Sequence, residues 1–187
     1  MTGEGDPALA ITSALVRDRG GVAVVYVPDL GLLDWTAADV VSLWTGGTSA
    51  VRVASVAEAL AHPHDLVLFL PTDERAAVVE LDGRRDQLLA SGRTAPLVLF
   101  LLRDGPGAAA LLGEAPSLWS IVVGNDVDPE DLAQQGAAAA SRAFAAEGVE
   151  PEEVVARWRA GTWGESADDI ATLYRAILIA GRGRTGE

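Results

Sequence analysis

The chain has 187 residues, 49% hydrophobic and 22% charged, a balance that supports a buried core and excludes a disordered, charge-rich polymer. Its 27 acidic residues outnumber 14 basic ones, with no lysine among them, giving a formal charge of -13 that disfavours nucleic acid and anionic lipid as partners. Without cysteine, disulfide frameworks, thiolate zinc sites and cysteine nucleophiles are excluded.

Asp6 as N-cap, Pro7 at the first helical position and Leu9, Ile11, Leu15 and Val16 predict an amphipathic helix stopped at Gly20 and Gly21. This start has no basic residues ahead of an apolar segment, and no window reaches the ~18 apolar residues that span a bilayer. A soluble, cytoplasmic protein with no membrane partner is expected. "VAVVYV" at 22–27 is a β-branched apolar run suited to a strand covered on both faces. A helix over Thr36 to Trp44 ends at Gly46 and Gly47, before a strand at 50–54. Ser55 and Glu58 have capping-box spacing at the start of a short helix.

"DLVLFL" at 65–70, "PLVLFLL" at 96–102 and a shorter "SIVVG" at 120–124 predict three more strands. Apolar strands separated by helix-length segments define the fold class as α/β, a mostly parallel sheet with helices on both faces. From Asp128 the pattern turns helical. Asp128 and Pro129 start an Ala-rich helix ended by Gly148, Pro151 opens one through Trp158 that stops near Gly161, and Ser166 with Asp169 begins a last one ending near Ala180. The expected organisation is a sheet domain over 1–127, a C-terminal helical extension packed on it over 128–180, and a disordered tail over 181–187.

No complete catalytic motif is present. A phosphate loop, G-x-x-x-x-G-K-[ST], needs a lysine that the chain lacks, and "WTGGTSA" and "RDGPGAAA" read as turns. "GRGRTG" sits in the tail with no helix after it, which removes the dinucleotide fingerprint. No serine stands in G-x-S-x-G. Asp73, Glu74 and Asp104 follow apolar strands, where acids hold magnesium or orient water in a nucleotide hydrolase; they read either as a vestigial metal or nucleotide site or as polar strand ends. "HPHD", with His62, His64 and Asp65, offers a weak metal-pair pattern. Glu152 and Glu153 fit the first turn of a helix, where they oppose its dipole.

Arg84, Arg85 and Asp86 form a charged cluster ahead of a short helical stretch. An arginine fork binds carboxylates as readily as phosphates, and Asp82 and Asp86 are at hand, so a structural ion-pair joint is preferred over a phosphate site. Of five tryptophans, Trp35, Trp44, Trp119, Trp158 and Trp163, most suit core edges, and an exposed pair would mark a protein interface. Trp158 and Trp163 either meet a partner or fold back on the sheet, the second being preferred.

The succession "DLVLFL", "LDGRRDQL", "APLVLFLL" and "GEAPSLWSIV", over roughly residues 65 to 123, resembles the inactive STAND NTPase-like domains of bacterial conflict and antiviral systems. The likeness rests on Arg84, Arg85 and Asp86 with Ala115, Pro116, Leu118 and Trp119. It implies a phosphate-loop NTPase fold that has lost its nucleotide-binding residues and works as an adaptor beside proteases, nucleases or oligomerising ATPases. "PEEVVARWRAG" is similar to a helical element of small regulatory proteins. The expectation is a non-catalytic adaptor or regulatory subunit in a prokaryotic signalling or defence pathway, with no cofactor and a protein effector as partner. Two alternatives stand beside it: a small nucleotide-binding or metal-dependent enzyme, and an inhibitory partner of a toxin or protease.

Overall fold

A computed structural model describes residues 21–44, 49–122, 126–127, 129–164 and 167–182. The expected N-terminal helix and residues 183–187 of the tail lie outside the described residues. Among the described residues five parallel strands, β1 (Val22–Val27), β2 (Ala50–Val53), β3 (Leu66–Phe69), β4 (Leu97–Leu102) and β5 (Asp126–Val127), lie in the order β2-β3-β4-β1-β5. The α/β class read from the sequence is the one observed.

One face of the sheet, through Val22, Val24, Val67, Phe69, Leu97, Leu99 and Leu101, packs on five helices. They are α2 (Val56–Ala61), α3 (Glu74–Gly83), α4 (Arg85–Ala90), α5 (Pro106–Gly113) and α6 (Pro116–Val122). The other face, through Val25, Val27, Leu66, Leu68, Val98 and Phe100, is covered chiefly by α1 (Leu33–Leu43). Each middle strand is therefore buried on both sides, which is why its sequence is apolar without alternation.

Helix α1 is buried almost all round. Ala37, Val40 and Val41 meet the sheet, while Ala38 meets Ala140 of α7 (Pro129–Glu147) and Ile179 of α9 (Ala167–Arg182). Its buried hydroxyls are satisfied within the helix, Thr36 Oγ1 donating to Leu32 O at 2.8 Å and Ser42 Oγ to Ala38 O at 2.9 Å. Between α7 and α9 runs α8 (Pro151–Arg159), and the three helices share a small core of Phe144, Val154, Val155 and Ala176. Gly148 and Gly161, at φ +64° and +69°, end α7 and α8 in the left-handed region that glycine adopts without a Cβ penalty.

Three boundaries differ from the sequence reading. The expected strand at 120–124 is helical through Val122: Pro116 opens α6, and Leu118, Ile121 and Val122 recur at helical spacing on the buried face. The fifth strand comes later, at Asp126–Val127, beside Val24 and Val25 of β1. The helix expected over Thr36 to Trp44 begins at Leu33, after a 3-10 turn over Leu30–Leu32, and the last continues to Arg182, so Gly181 and Arg182 belong to it rather than to a disordered tail.

Helices α1 and α7 approach closely at Gly136, where a Cβ would stand 2.5 Å from Oδ1 of the buried Asp39 and 2.8 Å from its Cα. Gly136→Ala adds helix propensity of about 1 kcal/mol, yet it forces two packed helices apart at an overpacking cost of roughly 1–3 kcal/mol. It should lower the unfolding temperature, whereas Gly113→Ala, whose added Cβ meets nothing within 4 Å, should not. A Gly136→Ala chain as stable as the parent would show that the C-terminal helices do not bear on α1 in this way.

Candidate functional site

Helix α1, which follows β1, and helices α5 and α6, which follow β4, leave the sheet on opposite faces. Since β1 and β4 are neighbours, their carboxyl ends open a crevice between the departing chains, the place where open α/β sheets bind ligands. Arg103 N donates to Val27 O at 2.9 Å, carrying the β1–β4 ladder to the crevice floor.

The loop after β1 is "PDLGLL". Asp29 accepts from Gly31 N at 2.7 Å and caps the 3-10 turn, while Leu30 and Leu32 stand out at 67% and 43% exposure. After β3, Asp73 caps α3 by accepting from Ala76 N at 3.0 Å. Glu74 reaches across to the next loop. Its Oε1 accepts from Leu102 N at 2.9 Å and its Oε2 from Gly107 N at 3.2 Å, so one carboxylate closes the end of β4 and caps the first turn of α5. Gly105 and Gly107 leave room for it, because a Cβ on either would stand 2.8 Å from Oε2.

Exposed amides at such loops and helix starts are where phosphate binds, through hydrogen bonds and the positive end of the helix dipole. Here Asp29, Asp73 and Glu74 occupy amides of four elements, the 3-10 turn, α3, β4 and α5, with carboxylates of the chain itself. An incoming anion meets these carboxylates, and the four amides they hold are already filled. Asp104 is exposed in the β4–α5 turn, and among the described residues no three acidic or imidazole groups gather as a metal site.

The Arg84 cluster lies on the same face of the sheet as α3. Arg84 is the residue at which α3 ends and α4 begins, and its guanidinium pairs with Glu80 one turn back at 2.8 Å. Arg85 lies 3.4 Å from Asp86, which is almost wholly exposed. Asp82 is not their partner: its Oδ1 accepts from Leu118 N at 2.7 Å and caps α6. Trp119 is half-buried against the core, Trp163 folds back on α8 and α9, and Trp158 is 48% exposed. Arg157 lies 5.1 Å from the Trp163 ring centre, and the indole N–H donates to Asp169 O at 2.8 Å.

At the opposite, amino-terminal edge a polar cluster contains a serine, an aspartate and a histidine in the wrong order for catalysis. Ser49 donates to Asp65, and Asp65 Oδ2 lies 3.0 Å from Nδ1 of His62, so the carboxylate stands between the hydroxyl and the imidazole. The imidazole does not touch the Ser49 oxygen, as the base of a serine nucleophile would. Nδ1 of His64 instead meets Thr94 Oγ1 at 3.0 Å. Beneath lies Arg93, whose guanidinium donates to the carbonyls of Ala59, His62 and Ala95. Burial lowers its pKa to about 10, opposed by the charge of Asp65, so it stays charged at neutral pH.

Neither Arg93 nor the destination of Glu74 was apparent from sequence. Arg93 offers no motif, and the partners of Glu74 lie 28 and 33 residues away. The Asx turn of Asp29 and Gly31 did have a local signal, an Asp two residues ahead of a Gly after a strand. Comparison of the chain with family models, with curated proteins and with solved structures finds no match.

Glu74→Ala frees two half-buried amides and should destabilise the fold by about 1–3 kcal/mol in urea unfolding, with Glu74→Gln, which offers one acceptor oxygen in place of two, between it and the parent. Equal stability of all three chains would remove the clasp.

The Ser49 hydroxyl first, and the His62 ring after it, hold the Asp65 carboxyl below the usual carboxylate range against the opposing effect of burial. A depressed folded pKa contributes stability that is full above the unfolded value near ~3.9 and is lost as pH falls through the folded one. Ser49→Ala should therefore raise the Asp65 titration point by carbon-detected NMR. The stability deficit of this variant at neutral pH should narrow as the solution is acidified below about pH 4. An unmoved titration point would contradict the hydrogen bond.

Proposed function

We propose that this chain is a non-catalytic adaptor or regulatory subunit that binds a larger effector protein in a prokaryotic signalling or antiviral defence pathway, within the cytoplasm. The observation that carries the reading is the occupation of the carboxyl-edge amides by Asp29, Asp73 and Glu74. At the edge where an α/β enzyme of this topology would take a nucleotide, the amides of Gly31, Ala76, Leu102 and Gly107 already hold carboxylates of the chain itself. The lack of lysine, the negative charge and the resemblance to inactive STAND NTPase-like domains support the same reading. No helix among the described residues is long and apolar enough to cross a membrane, which is compatible with it.

Thermal unfolding with millimolar ATP or GTP plus magnesium tests it directly. A ligand at about 100 times its Kd stabilises by roughly 2.7 kcal/mol, or about 5–10 °C for a chain of this size. The expected result is no rise. A rise of that size would replace the adaptor with a nucleotide-binding enzyme, and so would loss of biological activity in a complementation assay of Asp73→Asn with Asp104→Asn.

A further inference from the structure

Two clefts of about 330 and 340 Å³ lie side by side where α7 turns into α8, and Gly148 and Val149 line both. Their apolar walls are Val154 and Trp163 on one side, Phe144 and Ile179 on the other. Val149 stands between them, 38% exposed. Unlike the carboxyl edge, this corner keeps its carboxylates outward: Glu147, Glu150 and Glu153 line the clefts, are exposed, and appear in no ion pair among the described residues.

We propose that the two clefts form one docking groove for a basic peptide segment of the effector, in which aliphatic side chains fill the clefts and arginines meet the glutamates. The proposal rests on the adaptor reading for the partner being a protein, and it adds where and by what chemistry that partner is held. Charge complementarity selects the occupant. Three rim carboxylates face a single lining cation, Arg157, on a chain of formal charge -13, so an acidic or neutral apolar segment is opposed while a basic one is drawn in. Arg157 itself illustrates the chemistry, with its guanidinium over the Trp163 ring one turn along α8 from Glu153. Two adjacent apolar recesses separated by one ridge suit a pair of aliphatic anchors, the pattern by which short amphipathic segments are read.

The test is fluorescence anisotropy of the full chain with a labelled twelve-residue peptide of alternating leucine and arginine pairs, beside the same peptide with glutamate for arginine. The arginine peptide should bind in the micromolar range and the glutamate peptide should not. Glu150→Arg with Glu153→Arg should weaken binding at least tenfold. Asp86→Arg with Asp104→Arg, the same charge change elsewhere, should alter it less than threefold. Glu150→Gln with Glu153→Gln, which adds no positive charge at the start of α8, should weaken it in the same direction and serves if the reversed chain does not fold.

Equal weakening by both reversals would reduce the effect to overall acidity and overturn the groove, as would equal binding of the two peptides. A dimer in sedimentation that the Glu150→Arg, Glu153→Arg chain loses would give the corner to a second copy of this chain and overturn the proposal too. An effector that stays bound to the reversed chain would sink the groove and leave the adaptor standing, whereas nucleotide-induced stabilisation would sink the adaptor.

Discussion

The constraint on which the architecture depends is that a parallel sheet must be covered on both faces, and among the described residues one face is covered mainly by helix α1, with Leu132 of α7 beside it. Five helices share the other face, so losing any one of them leaves neighbours in place. Among the described residues of the sheet domain, helix α1 has no such support. Its outer surface is made of Ala38, Asp39 and Trp35, residues that need cover of their own, and α7 and α9 supply it. The C-terminal helices are thus an outer layer over the second face, with Gly136 allowing α7 to approach the backbone of α1. Close packing of this kind makes small residues matter more than large ones, because one methyl group at the contact moves two helices.

Electrostatics follows from the same geometry. Parallel strands all end at one edge, so their loops and helix starts gather free amides there. This chain meets them with carboxylates: Asp29 and Asp73 within their own turns and Glu74 across two loops. The Ser55 and Glu58 box does the same for α2, and these hydrogen bonds hold the Glu58 carboxyl below its ordinary pKa. Acids that would be candidate ligands in an enzyme are thereby structural.

What could be read in advance was whatever is local. Strands β1, β3 and β4 announce themselves because burial on both faces leaves no polar alternation, and the Ser55–Glu58 box and the glycines at 148 and 161 act within a few residues. "SIVV" misled because β-branched content mimics a strand when the helical spacing begins earlier, at Leu118. Strand β5 has two residues and takes its identity from the edge of β1, so it carries no pattern of its own. The site was the least legible part. Glu74 to Gly107, Asp82 to Leu118 and Arg93 to Ala59 span 33, 36 and 34 residues, and nothing in the spacing of either partner reveals the pairing.

The use of arginine explains why so acidic a chain presents its charge unevenly. Arg93 is spent on three carbonyls, Arg84 on Glu80, Arg52 on Asp34 and Arg75 on Glu114, so several cations are committed inside the sheet domain. The α7–α8 turn presents its glutamates in no ion pair among the described residues and keeps Arg157 over an aromatic ring. An exposed carboxylate contributes little to stability, but several on one rim raise the local potential that a basic partner meets before contact. Such a rim acts first on the rate of encounter, and it does so most strongly at low ionic strength, because the field of exposed charges is screened within about 8 Å at physiological salt. Affinity must then come from the apolar floor beneath, which α7, α8 and α9 form together, and two of these helices, α7 and α9, also shield α1.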